Sequence, residues 1–183
     1  MLFPRGRLPL RLFEQRYLSM AKACLKDGQP FGVCAIREGK EVGAPAVPFD
    51  VGTTARIAEW DMPQLGVLQI IAAGEARFRI IERRAERDGL QIARVEPLPP
   101  ESDAPVPPEC APCVRLLERV IEQHEGLLAP PHQLDSCAWV SGRLTELIPL
   151  ALPTKQELLE LDDARLRLER LNGLLRATAR GAS

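Results

Sequence analysis

Six prolines fall within residues 97–108: Pro97, Pro99, Pro100, Pro105, Pro107 and Pro108. Each removes a backbone N–H and fixes φ, so no helix or central strand survives that density. The segment is a stiff linker or a surface strap, and it divides the chain. Before it, apolar residues recur at strand spacing; after it, they recur at helical spacing. The division predicts a β-rich subdomain over residues 1–97, a linker over 98–108 and a helical subdomain over 109–183.

Leu8, Leu10 and Leu12 alternate with Pro9 and Arg11. That is a half-buried strand, with Pro9 placing it at an edge or a strand start. From Glu14 to Lys26 the period becomes helical, with Tyr17, Met20, Ala21, Cys24 and Leu25 on one face. Gly28 suits the left-handed turn that ends such a helix. Further strands are expected over 31–36, 53–60, 65–71, 76–81 and 90–95. Turns are expected at Gly39, Gly43 and Asp88-Gly89, with a bulge or bend at Gly74. Many short strands with one helix favour a closed or nearly closed barrel, since closure removes exposed edges.

Beyond the strap, Leu116, Leu117, Val120 and Ile121 form a helical stripe within residues 113–125. A second helix is expected over 136–147, capped by Asp135. A third starts at the capping-box spacing Thr154 to Glu157. A fourth, capped by Asp162-Asp163, carries Ala164, Leu168, Leu171 and Leu175 on one face. The whole is an α+β fold: a β-barrel followed by a helical bundle.

Charge excludes a strong electrostatic partner. The net charge is −1 and the pI about 6.2, so neither nucleic acid nor an anionic membrane is drawn in globally. No window has the uninterrupted apolar length of a membrane span, and the opening residues lack a signal peptide's apolar stretch. A cytoplasmic protein is expected, with Cys24, Cys34, Cys110, Cys113 and Cys137 as reduced thiols.

Several segments together resemble the N-terminal, substrate-binding domain of bacterial Lon proteases. Leu2-Phe3-Pro4-Arg5-Gly6 followed by Leu8 to Tyr17 is similar to that family's opening. Phe31-Gly32-Val33, Val51 to Ile57, Gly74 to Ile80 and Leu150 to Glu160 are similar to later family segments, in family order. The resemblance implies a PUA-like barrel or pseudobarrel with one early helix, then a helical bundle. It implies a module that binds unfolded or extended protein segments, without an ATPase loop or a protease dyad. A protease or chaperone is the implied partner, in proteolysis or protein quality control. The family's strand before the opening has no counterpart here, and an unpaired edge would invite strand addition or a homodimer. Binding is expected in a hydrophobic groove at the barrel–bundle junction. Because the resemblance concentrates at the opening, Phe3, Glu14, Arg16 and Tyr17 are the candidate substrate-binding residues. Phe13, Tyr17 and Phe78 are expected in the core.

Other chemistries are weaker. Cys110 and Cys113 have the spacing of a metal knuckle, and His124, His132 and Cys137 could complete a zinc site. Cys110 lies in the proline-rich strap and there is no second knuckle, so no metal or other cofactor is expected. A serine hydrolase is disfavoured, because Ser141-Gly142 lacks a nucleophile elbow. Cys137 with His132 is the remaining nucleophile pair. Arg77, Arg79, Arg83, Arg84 and Arg87 make an RNA-binding or small-ligand-binding barrel the alternative. Glu75, Glu82 and Glu86 interrupt that run, and aromatic residues for stacking are only 4% of the chain. The sequence therefore predicts a non-catalytic protein-binding module.

Overall fold

The computed structural model describes residues 1–40 and 46–181, with side-chain burial through residue 177. The turn expected at Gly43 lies outside the described residues. The chain forms two compact units, residues 1–98 and 99–183.

The first unit contains β1 (Arg7–Leu12), α1 (Gln15–Asp27), β2 (Phe31–Val33), β3 (Ile36–Glu38), β4 (Val47–Pro48), β5 (Val51–Gln64), β6 (Val67–Ala85) and β7 (Gln91–Pro97). The main sheet is antiparallel, in the order β1-β6-β5-β2, with β7 also on β6. β3 and β4 form a separate pair. The fold is α+β with a β-rich first half, as the sequence indicates. Of the closed or nearly closed barrel expected, full closure is not seen among the described strands, whose hydrogen-bonded path runs from β1 to β2. β6 is one continuous strand: its first half pairs with β1 and its second half with β7.

The segments read as 65–71 and 76–81 are thus a single strand, and Gly74 lies inside it without ending it. Arg5 N–H donates to the Gly74 carbonyl and Gly74 N–H to the Gly6 carbonyl, both at 2.9 Å. A Cβ on residue 74 would lie 2.3 Å from the Phe3 carbonyl oxygen. Gly74→Ala is therefore expected to destabilise this unit by about 1–3 kcal/mol, because backbone must shift to admit the methyl group. A urea midpoint unchanged from wild type would refute that reading of Gly74.

The sheet buries one face beneath α1. Leu12, Leu68, Ile70 and Ala21 form a cluster, with Leu10, Tyr17, Leu18, Phe31 and Ile57 packed against it. α1 ends as expected at Gly28, whose φ is 64°. The Asp88-Gly89 turn also forms, with Gly89 at φ 84°. Pro9 sits within β1, opposite Ile71. A proline is tolerated there only with its nitrogen turned away from the partner strand, on the open side of the sheet.

The second unit contains a 3-10 turn (Pro108–Cys110), α2 (Ala111–Gln123), α3 (Cys137–Leu147), α4 (Leu152–Glu160) and α5 (Ala164–Gly181). Residues 137–145 of α3 are all buried, marking it as the central helix. Its N-cap is Ser136, not Asp135: the Ser136 hydroxyl accepts from Trp139 N–H at 3.0 Å. Asp103, from the strap, adds a second acceptor, taking the Ala138 N–H at 3.0 Å and the Ser136 hydroxyl at 2.7 Å. α4 starts two residues before the expected box, with Pro153 inside its first turn and no side-chain cap. Asp163 caps α5 as expected, accepting from Arg165 and Leu166 N–H.

The strap is bound closely to these helices. Ser102 N–H donates to the Asp162 carbonyl, Val106 N–H to Asp135 and Cys137 N–H to Ala104, each at 2.9 Å. Its anchor is Arg167, which is fully buried. The guanidinium pairs with Glu101 and donates from Nε to the Ser141 hydroxyl at 2.8 Å.

Candidate functional site

The structure brings three of the four opening residues together. Arg16 Nη2 lies 2.9 Å from Glu14 Oε2, and Nη1 donates to the Gly89 carbonyl at 3.0 Å. Its guanidinium sits over the Tyr17 ring, 4.7 Å from the centroid. Arg16 is only 6% exposed, so it ties the start of α1 to the β6–β7 turn. Phe3 is 1% exposed and lies in the core, its carbonyl beside Gly74. Of the four, Glu14 and Tyr17 retain partly accessible side chains.

Beside them lies an apolar surface that the sequence reading did not isolate. Leu65 is 97% exposed, Trp60 60% and Phe13 54%, and these are the three most exposed large apolar side chains described. Met62 is also exposed. Leu65-Gly66 forms the turn of the β5–β6 ribbon, with Gly66 at φ 82°. Leu65 is therefore a tip residue, where a strand had been expected. Phe13, expected in the core, directly follows Leu12, which pairs with Leu68 near the start of β6. Leu65 and Met62 thus lie at or near the tip of the ribbon, whereas Trp60, opposite Ile70, and Phe13, next to the Leu12–Leu68 pair, lie further back along the strands. Gly66 was the available signal, since a glycine after Leu65 allows a tight reversal.

A trough of about 380 Å³ runs over the adjoining strands, bounded by Pro9 to Arg11, Glu59 to Asp61 and Gln69 to Ile71. The register places Pro9, Ile71 and Glu59 in one row and Arg11, Gln69 and Asp61 in another.

The thiols sit in the opposite chemical setting. Cys110, Cys113 and Cys137 are buried. Cys113 lies 3.7 Å from Asn172 Oδ1 and Cys137 donates to the Pro105 carbonyl at 3.4 Å. Burial, reinforced by nearby negative groups, pushes Cys34, Cys113 and Cys137 up to about 11. His132 Nε2 is engaged with the Leu128 carbonyl at 3.1 Å, and its ring lies against Trp139. His124 caps the end of α2. Among the described residues, no group of three or more His, Cys, Asp or Glu is placed to hold a metal ion.

The thiols give a directional prediction. The folded state holds these protons more tightly than an unfolded chain, whose thiols titrate near 9.0. Their contribution to stability is complete below pH 9 and is lost as pH rises from 9 toward 11. At pH 8 the thiolate fraction at each is about one in a thousand, so a thiol reagent should label them only on unfolding. Labelling of Cys137 in the native protein at the rate of a free thiol would contradict this.

The chain belongs to the family of ATP-dependent protease La (LON) substrate-binding domains, whose family model matches residues 1–177. A crystal structure of a Lon N-terminal domain protein from Xanthomonas campestris is 36% identical, covering 93% of this chain and 90% of that one, with a TM-score of 0.75. Among curated proteins, a Lon protease of Anaeromyxobacter dehalogenans is 28% identical over 94% of this chain, and protein cereblon of Xenopus tropicalis is 34% identical over 54%. The chain spans only about a fifth of the length of those two relatives, 21% and 22%. The matched family is a substrate-binding domain and not the catalytic one. No helix among the described residues is long and apolar enough to cross a membrane.

Proposed function

We propose that this protein is a non-catalytic module that captures unfolded or extended protein segments and acts as an adaptor beside a protease. The observation that carries this reading is the exposure of large apolar side chains along the β5–β6 ribbon, at its tip and beside it. Leu65, Trp60, Met62 and Phe13 offer large apolar and aromatic contact area of the kind enriched at binding hot spots. Glu14 and Tyr17 extend that surface, while Arg16 and Phe3 hold it in place from within. Capture is weak per site, because ordering a flexible segment costs conformational entropy.

The basic run on β6 does not favour RNA. Arg84 pairs with Glu86 at 3.1 Å and Arg94 with Glu82 at 3.5 Å, so this face is a mixed-charge ladder. The test is fluorescence anisotropy with three labelled probes: an alkylated unfolded polypeptide, the same polypeptide folded, and a single-stranded RNA. Only the unfolded polypeptide should respond. No response at about 0.1 mM protein, where a binding free energy near 5 kcal/mol would register, would reject the proposal.

A further inference from the structure

The trough beside the exposed ribbon end has a polarity of its own. One end is spanned by an ion pair: Arg7 on β1 reaches Glu59 on β5, over the intervening β6. Under it, Pro9 and Ile71 provide an apolar wall and floor. The other end carries the row Arg11, Gln69 and Asp61. Arg11 has no ion-pair partner among the described residues, and Asp61 Oδ1 accepts only the N–H of Met62, at 2.8 Å. The row thus holds an open cation and an open anion with an amide between them. They sit two strand spacings apart, about 10 Å, which an extended chain covers in about three residues.

We infer that this trough reads an extended segment of a client in which apolar residues are flanked by one acidic and one basic residue. The carboxylate meets Arg11, the basic group meets Asp61, and the apolar side chains rest on Ile71 and Pro9. The inference rests on the client-binding reading above and adds a charge rule to it. A segment with two like charges leaves one of the trough's groups facing its own sign, which is unfavourable.

The test uses the full chain and three labelled peptides, each with two central leucines. Their flanking residues are glutamate and lysine, two glutamates, or two lysines. In low salt the mixed peptide should bind about fivefold tighter than either like-charged one. Arg11→Glu should shift the preference to the doubly basic peptide, and Asp61→Lys to the doubly acidic one. The double swap, R11E with D61K, should restore the mixed preference. Arg11 and Asp61 are both exposed, and circular dichroism checks that the variants fold. A ranking that ignores these swaps, while unfolded polypeptide is still captured, overturns the charge rule alone. No binding of any peptide or of unfolded polypeptide overturns both readings. A dimer in sedimentation that either swap disperses would show the trough held by a second copy, and would also overturn the inference.

Discussion

Replacing Arg167 by Met is expected to destabilise the helical unit by about 3–5 kcal/mol, because it leaves the Glu101 carboxylate buried without its counter-charge. The guanidinium is fully buried and joins the strap to α3 through three groups. It pairs with Glu101 of the strap, donates to Ser141, and reaches the Ala138 carbonyl of α3 at 3.4 Å. Ser141 in turn donates to the Cys137 carbonyl at 2.6 Å, so the loss propagates into the central helix. Urea unfolding followed by Trp139 fluorescence, in a Trp60→Phe background, reads this unit by itself. Replacing Glu101 by Leu as well should recover much of the loss, since removing both charges removes the unpaired one. If R167M shifted the unfolding free energy by less than about 1 kcal/mol, the strap would be held by its backbone bonds alone.

The second large effect is functional. Leu65→Asp with Trp60→Ala should weaken capture of an unfolded polypeptide at least about thirtyfold, as losing a hot-spot pair worth about 2 kcal/mol requires. Leu65 is 97% exposed and makes the turn with Gly66, so the change removes contact area without opening the core. Stability should move by only a few tenths of a kcal/mol. Client affinity within twofold of wild type, with the fold intact, would place the binding surface elsewhere.

Local chemistry was legible in the residues, and long-range continuity was not. Gly28 after a helical stripe and Asp88-Gly89 between alternating strands each name a backbone reversal, and both formed. β5 was harder, because Pro63 resembles a strand breaker. It lies where the register shifts between Asp61 and Gln64, so β5 continues past it. Leu65 falls in the strand expected over 65–71 and Phe13 in the expected core, whereas both side chains are exposed. The buried arginines were equally opaque. Arg16 and Arg167 fall at spacings that read as solvated positions, and only their folded partners reveal them as anchors. Helix caps divide the same way. Asp163 could be named from sequence, whereas α3 takes an acceptor from Asp103, more than thirty residues away.

Pro9 bears on how such a module survives its own clients. A protein that handles unfolded chains is bathed in segments seeking a strand to join, and an open sheet edge is the template they would grow on. On β1 that template has a missing donor at its middle and arginines on either side, at positions 7 and 11. If the proposed capture holds, this edge disfavours backbone ladders that would set into fibres and leaves side-chain contacts as the way a client is held.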